Sequence, residues 1–297
     1  MLLVTGITGH SGRYFLQELI DNKYEGVIRC IIRETSDTSM LDNSGLKIEK
    51  IVGDLNDKEF LDICMKDVDA VMHIVNIRYS INVIEAAIKN NVKRVVLVHT
   101  TGIFSKFRMA SDEYKDIENR LRYMIKKYSI KTTILRPTMI YGDMCDHNMS
   151  KFIKMVDNLR IFPVINHGSG LIQPVNARDL GKAYYSILTL PSEKAKDEYI
   201  LSGEKPITML YAFKLISKNL NKKTTFISFP LSFGVFLARS LKIITLGKVN
   251  YIEKVLRMSE DRSFSHEDAR KDFGYSPMSF EDGIRIEVNE YFKVQHR

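Results

Sequence analysis

Short apolar runs alternate with amphipathic stretches along the first half of the chain. The runs are rich in valine and isoleucine and predict buried strands, at Met1–Val4, Val27–Ile32, Ile48–Val52, Ala70–Ile74, Arg94–Val98 and Thr132–Leu135. Apolar residues recur at helical spacing between them, over Ser11–Asn22, Lys58–Met65, Ile81–Asn90 and Asp112–Tyr128. Continuously apolar strands separated by helices predict an α/β fold whose doubly wound parallel sheet is covered on both faces. A ligand crevice is then expected at the carboxyl ends of the strands.

A glycine-rich turn follows the first strand directly. Residues 5–12 read Thr-Gly-Ile-Thr-Gly-His-Ser-Gly, and a helix pattern begins at once behind them. Glycines in a strand-to-helix turn let backbone amides approach a pyrophosphate at the helix N-terminus. The turn predicts a dinucleotide site formed by Gly6, Thr8, Gly9, His10, Ser11 and Gly12.

Four further motifs follow in a fixed order: Gly53-Asp54-Leu55, the strand Val68–His73, the segment Leu135–Gly142, and the segment Gln173–Leu180. With the G-x-x-G-x-x-G spacing of the turn, this set resembles the short-chain dehydrogenase/reductase superfamily, extended and atypical type. The chain is most similar to its NAD-dependent epimerase/dehydratase branch, the nucleoside-diphosphate-sugar epimerase-like proteins. The resemblance covers residues 1 to about 188 and implies a Rossmann fold.

After Gly142 the regular alternation fades. Helical patterns over Met209–Leu220, Leu231–Leu241 and Tyr251–Met258 are joined by short irregular segments. This part resembles the smaller, mainly helical substrate-binding portion of extended members. We therefore expect a dinucleotide-binding domain of residues 1–142 plus about 171–202. The smaller portion would comprise about 143–170 and 203–297.

The resemblance also implies where a cofactor would lie. Arg33 follows the second strand and could grip the 2′-phosphate of NADP, which favours NADP, whereas Glu34 beside it leaves NAD open. Further cofactor contacts are expected from residues that follow the other strands, namely Asp54, Leu55, Val75, Asn76, Thr100, Pro137, Thr138 and Ile140. For Thr138, a simple turn role after a proline is an equal alternative.

The catalytic signature of the resembled family is incomplete. Reductases and epimerases of this superfamily use a Ser or Thr with a Y-x-x-x-K pair, and Thr100 matches the hydroxyl. If Tyr114 is the tyrosine, Glu118 stands at the lysine position. In the other register, Glu118 is the common helix glutamate, Tyr114 takes the lysine position and Ala110 the tyrosine position. Catalytic roles are assigned to Thr100 and Tyr114, in a degenerate site. For Tyr114, an aromatic that only packs on a helix face is an equal alternative.

Composition narrows the class of protein further. The net charge is +8, but lysines and arginines are scattered, so no nucleic-acid partner is expected. Three cysteines without paired spacing indicate a reducing, cytoplasmic location, and no metal site is expected. Cys145 and His147 could suggest a nucleophile or ligand pair, but a helix cap by Asp146 or Asn148 is favoured. The apolar stretch Phe229–Leu246 is broken by Arg239 and Lys242, so no transmembrane segment is expected.

The sequence favours an NAD(P)-dependent oxidoreductase that transfers hydride to or from a small organic substrate. The alternative is a dinucleotide sensor or an assembly and regulatory protein without turnover. The sequence leaves the substrate and the oligomeric state open.

Overall fold

A seven-stranded parallel sheet forms the centre of the computed structural model, which describes residues 1–107, 109–146 and 148–295. Its strands are β1 (Leu2–Thr5), β2 (Ile28–Ile32), β3 (Ile48–Val52), β4 (Ala70–His73), β5 (Arg94–Val98), β6 (Lys131–Pro137) and β11 (Glu198–Leu201). Their order is β3-β2-β1-β4-β5-β6-β11. The order reverses between β1 and β4, so the crevice for a ligand opens between the turns that follow these two strands.

Helices cover both faces of this sheet. The α-helices of the described residues are, in chain order, α1 (Gly12–Asp21), α2 (Ser39–Asp42), α3 (Lys58–Cys64), α4 (Ser80–Lys89), α5 (Ser111–Tyr128), α6 (Met149–Asn158), α7 (Ala177–Thr189), α8 (Met209–Asn219), α9 (Leu231–Ile244), α10 (Ile252–Arg257), α11 (Glu267–Phe273) and α12 (Phe280–Gln295). Not all of them contact the sheet, since α6, α8 and α12 pack together in a separate core. One apolar core joins the sheet to α1 and α7, and a second joins the other face to α3, α4 and α5. The predicted doubly wound sheet is confirmed.

The C-terminal portion has its own core, which includes Tyr141, Phe162, Phe213 and Ile284. It is mainly helical, as predicted. In and beside it lie three pairs of short strands, of which the sequence predicts only the strand within Gln173–Asn176. These pairs are β7 (Ile140–Tyr141) with β10 (Val175–Asn176), β8 (Ile161–Ile165) with β13 (Thr225–Phe229), and β9 (Leu171–Ile172) with β12 (Ile207–Thr208). Within the described residues, no helix has the length and apolarity needed to cross a membrane.

A buried polar pair links the two central strands. Thr5 and His73 face each other in the β1–β4 register, and the Thr5 hydroxyl lies 2.7 Å from His73 Nδ1. Both side chains are fully buried. Burial, followed by the proximity of His99, lowers the pKa of His73 to about 3.

This lowered pKa predicts an acid-sensitive fold. An unfolded histidine binds a proton below about pH 6.5, whereas folded His73 stays neutral down to about pH 3. As the pH is lowered from about 6.5 to about 3, His73 should therefore reduce the free energy of unfolding by about 1.4 kcal/mol for each pH unit. Urea unfolding of the wild type and His73→Asn between about pH 6 and pH 4 tests this. The free energy of unfolding of the variant should depend on pH less steeply, by about 1.4 kcal/mol per pH unit. Equal slopes for the two proteins would show that His73 does not cause the acid sensitivity.

Candidate functional site

The glycine turn after β1 lies against the turn after β4. Gly6 has a φ of +76°, and a Cβ there would lie 2.5 Å from the carbonyl oxygen of Ile74. A Cβ on Gly12 would overlap the carbonyl oxygen of Gly6, so these positions require glycine for conformation and close approach. Gly9 is exposed, and its N–H donates to the Gly6 carbonyl at 3.0 Å. The turn thus presents open backbone at the start of α1.

A buried carboxylate fastens this turn to the segment after β7. Asp143 accepts a hydrogen bond from the Tyr14 hydroxyl at 2.7 Å and pairs with Arg13. His10 Nε2 lies 2.9 Å from the other Asp143 oxygen. Burial opposes ionisation of Asp143, but the hydrogen bonds with His10 and Tyr14 and the charge of Arg13 hold its pKa well below the ordinary value. Asp143 therefore fixes the start of α1 against the C-terminal portion.

A cavity of about 550 Å³ opens at the carboxyl ends of β5 and β6. One wall is formed by the residues that come directly after β5 and β6 in the chain. The opposite wall is formed by α10 and the residues that follow it, up to Phe264. The lining residues are His10, His99, Thr100, Thr101, Gly102, Phe104, Ser105, Pro137, Thr138, Met139, Ile140, Cys145, Asp146, Asn148, Ile172, Gln173, Glu253, Arg257, Glu260, Asp261, Arg262 and Phe264. The cavity thus reaches from the glycine turn, through His10, to the C-terminal portion.

Thr100 and Thr138 line this cavity with different hydrogen bonds. The Thr100 hydroxyl accepts from the Gly102 N–H at 3.0 Å, and no described side chain or carbonyl accepts its proton. Its proton is therefore available to a molecule in the cavity. The Thr138 hydroxyl donates to the carbonyl of Gln173, which ties β6 to the segment before β10.

Tyr114 lies outside the cavity lining. Its buried ring packs with Ile77 and Ile103, and the Arg78 guanidinium lies 5.4 Å from the ring centroid. Thr100 thus lines the cavity, whereas Tyr114 is buried against Ile103 of the turn that follows Thr100. The catalytic roles assigned to both residues stay predictions.

A buried ionic network holds β5, β6 and α5 together. Glu118 forms an ion pair with Arg136. Its Oε1 also lies 2.9 Å from Nδ1 of His99. Burial opposes ionisation of Glu118, but hydrogen bonds from His99 and Arg136 outweigh it and lower its pKa to about 2. Burial lowers the pKa of His99, whose Nε2 lies 3.0 Å from the Ser80 hydroxyl. Burial thus favours the neutral form of His99, although the hydrogen bond with Glu118 acts in the opposite direction.

The remaining predicted cofactor residues surround the crevice at the ends of β1 to β4. Arg33 is exposed beyond β2, and its guanidinium pairs with no carboxylate in the described chain. Asp54 is exposed and accepts from the Asn56 N–H, whereas Leu55 is buried in the core.

The turn after β4 lies next to the glycine turn. Val75 packs beside Gly6, and the Asn76 side chain accepts from the Arg78 N–H. Elsewhere in the glycine turn Thr8 is half-buried, and Ser11 receives a 3.4 Å hydrogen bond from Tyr184.

The segment after Gly142 has a structural role that the sequence indicated in part. Asp146 accepts from the Asn148 N–H at 2.6 Å and from the Ser150 N–H, so it caps α6 as favoured. Cys145 is exposed. His147 lies outside the described residues.

Sequence reasoning missed the wall opposite Thr100. Arg262 is largely enclosed there; its N–H donates to Leu171, and none of the described residues pairs with its guanidinium. Burial, followed by the charge of Arg257, lowers the pKa of Arg262 to about 10. Arg257 itself lies 3.6 Å from Glu253. No local pattern marks these residues, since only the fold brings them to the ends of β5 and β6.

Comparison with known proteins gives the family. The model of the NmrA-like family matches residues 1–262, and the chain belongs to this family. The chain is similar over 186 residues to a putative UDP-glucose 4-epimerase of Methanocaldococcus jannaschii, with 26% identity covering 49% of this chain and 58% of that protein. It is 27% identical over 139 residues to a UDP-N-acetylglucosamine 4,6-dehydratase (inverting) of Campylobacter jejuni, covering 38% and 41%. The matches thus span about half the length of these curated relatives.

Solved structures share the fold over nearly the whole chain. The UDP-glucose 4-epimerase of Thermotoga maritima, solved with UDP-glucose, superposes with a TM-score of 0.75 at 16% identity and covers 99% of both chains. The UDP-glucuronic acid 4-epimerase of Bacillus cereus, solved with UDP-glucuronic acid and NAD, gives 0.76 at 16% identity, also over 99% of both. The predicted relation to epimerase/dehydratase-type short-chain dehydrogenases is confirmed.

Proposed function

We propose that the protein binds a nicotinamide dinucleotide along the carboxyl edge of the sheet and transfers hydride to or from a small organic substrate. The observation that carries this proposal is the continuity of the glycine turn with the cavity beside β5 and β6, since His10 belongs to both. When bound, the nicotinamide ring donates or accepts hydride. The NAD named in the structures of fold neighbours supports the same class of cofactor.

The residues present fit such a cofactor. A side chain at Gly6 or Gly12 would collide with backbone, while the exposed backbone of Gly9 can approach a phosphate. Thr8, His10 and Ser11 would complete the phosphate site. Asp54 and Leu55 would border the adenine, and Val75 and Asn76 the nicotinamide ribose. Pro137, Thr138 and Ile140 would lie along the nicotinamide.

Arg33 favours NADP over NAD in this proposal. Its exposed guanidinium has no carboxylate partner among the described residues, so it can donate two hydrogen bonds to a 2′-phosphate. Arg33→Ala should weaken NADPH binding about tenfold or more, because a charge-assisted hydrogen bond is worth about 1.5–3 kcal/mol. NADH binding should change little. Calorimetric titration of both cofactors tests this, with Arg285→Ala, an exposed arginine on α12, as control; equal weakening of both cofactors would contradict it.

Thr100 would orient the substrate. Its oxygen is fixed by the Gly102 N–H, so the hydroxyl can donate its proton to a carbonyl oxygen of a substrate in the cavity. This donation would stabilise negative charge that develops on that oxygen as the hydride arrives.

Arg262 favours a substrate that carries a negative charge. A largely enclosed guanidinium without a partner among the described residues is costly, and an anionic group would offset that cost. Arg257 lies beside it and is held by Glu253, 3.6 Å away. The other carboxylates of this wall have partners of their own, since Glu260 accepts from the Ser105 hydroxyl and Asp261 from the Leu171 N–H. We infer that a carboxylate or phosphate of the substrate points toward Arg262 while its carbonyl faces Thr100.

The site is degenerate in this account. Tyr114 is buried against Ile77 and Ile103, and the residue four positions later is Glu118, which pairs with Arg136. Epimerisation of a UDP-sugar at C4 should therefore be absent or very slow. The same departure supports the second candidate, a dinucleotide sensor or regulatory protein.

The test is oxidation of NADPH with a panel of small anionic ketones, enones and quinones. Oxidation of NADPH that requires both the protein and an acceptor would support the proposal that the protein is an enzyme. Tight NADPH binding with no turnover on any acceptor supports the sensor.

A further inference from the structure

Helix α9 carries its bulky apolar side chains on the outside. Of its residues only Gly234 and Ala238 are buried. Phe236 is 63% exposed, Ile244 is 77% exposed, and Leu246 in the following turn is 90% exposed. Further exposed apolar side chains on the same stretch are Phe233, Leu237, Leu241, Ile243 and Tyr251. A contiguous apolar surface of this kind marks an interaction site.

The packing of α9 fixes this orientation. A Cβ on Gly234 would lie 2.7 Å from Ile165 Cδ1 and 3.1 Å from Val255 Cγ1. The helix therefore seats its smallest residues against β8 and α10, which turns the phenylalanines, leucines and isoleucines outward. Rotating α9 to bury them would drive bulky side chains into this narrow contact.

The charged residues within the segment 231–252 have one sign, and the first acidic residue after them is Glu253 on α10. From Leu231 to Ile252 the chain contains Arg239, Lys242 and Lys248 but no aspartate or glutamate. All three cations are exposed. A surface that combines bulky apolar groups with cations alone complements an anionic lipid bilayer.

The dimensions of the segment suit the surface of a bilayer. Helix α9 has 14 residues, whereas a helix that spans the hydrocarbon core needs about 20. A twofold contact with a second copy fits less well. It would bring the three cations of each copy together with no acidic residue of the segment to pair with them.

We propose that residues 231–252 dock the protein on anionic membranes, with α9 lying in the interfacial plane. The apolar side chains enter the boundary between headgroups and acyl chains, while Arg239, Lys242 and Lys248 contact lipid phosphates. The cavity wall that contains Arg257 and Arg262 follows this segment directly in the chain.

Co-sedimentation with vesicles tests the apolar part of the proposal. Wild-type protein should bind phosphatidylcholine/phosphatidylglycerol vesicles and bind pure phosphatidylcholine weakly. The double variant Phe236→Glu, Leu246→Glu should bind anionic vesicles at least about tenfold more weakly. Ile63→Glu, at an equally exposed position on α3, should bind like the wild type. Thermal unfolding of all three proteins checks that they are folded.

The charges need a separate pair of variants. Arg239→Gln with Lys242→Gln should weaken binding to anionic vesicles by roughly fivefold for each cation removed. Lys151→Gln with Lys154→Gln, exposed on α6, is the matched control. Failure of the wild type to bind anionic vesicles, or undiminished binding by the Phe236/Leu246 variant, would overturn the proposal. A lipid-free dimer in light scattering that this variant dissociates would assign the surface to a second copy instead.

Discussion

Replacing Gly9 by valine is expected to reduce NADPH and NADH affinity at least about a hundredfold, because several phosphate hydrogen bonds of about 1.5–3 kcal/mol each would be lost. Gly9 is exposed, so the fold should tolerate the change. The added Cβ would lie only 3.1 Å from the Gly6 carbonyl, and the isopropyl group would cover backbone that a pyrophosphate needs to approach. Calorimetric titration gives the affinities.

The control for this prediction lies at the opposite end of the sheet. The three atoms nearest to a Cβ on Gly26, two residues before β2, all belong to the end of the Tyr24 side chain. Gly26→Val should therefore bind both cofactors as the wild type does. If folded Gly9→Val protein also retained wild-type affinity, the dinucleotide would have to bind somewhere other than the glycine turn.

Thr100→Val is expected to lower kcat about a hundredfold while leaving the dissociation constant for NADPH nearly unchanged. The reason is the loss of one hydrogen-bond donor to the oxygen on which charge develops, a loss that commonly costs 10²–10³-fold. Valine keeps the shape of threonine but cannot donate a proton. Steady-state NADPH oxidation with the best acceptor from the panel measures the effect.

Thr100→Ser separates this role from a structural one. Both serine and threonine can accept the Gly102 N–H and donate to a substrate, so the serine variant should stay within a few-fold of the wild type. Thr100→Val at wild-type kcat would show that another group polarises the substrate. Equal losses in both variants would point to a packing defect.

The central sheet could be predicted from sequence because its signals are local. Strands β1, β2, β4 and β5 consist mostly of buried residues, most of which are apolar, and the predicted helix patterns correspond to α1, α3, α4 and α5. Strand β3 is the exception, since Glu49 and Lys50 interrupt it and none of its residues is buried. The pair β8–β13 was missed for a physical reason. Pro163 interrupts β8, Ile161 is exposed where Phe162 is buried, and its partner strand lies about sixty residues further on.

The candidate site also has one part that could be predicted from the sequence and one part that could not. The glycine turn is contiguous in sequence, so its place at the switch point of the sheet could be predicted from its flanking strand and helix. The cavity wall could not be predicted, because Thr100 and Arg262 are far apart in sequence. They line the same cavity only after the C-terminal segment has folded against the sheet. Asp143 was likewise noticed only as part of a loop, although it fastens the start of α1 to the rest of the site.

The central claim is that the crevice beside the glycine turn holds a nicotinamide dinucleotide. Titration of the wild-type protein with NADPH and with NADH in a calorimeter tests this most directly. We expect one site per chain, with NADPH bound about tenfold or more tightly than NADH. Absence of binding by either cofactor to the folded protein at millimolar concentration would contradict it.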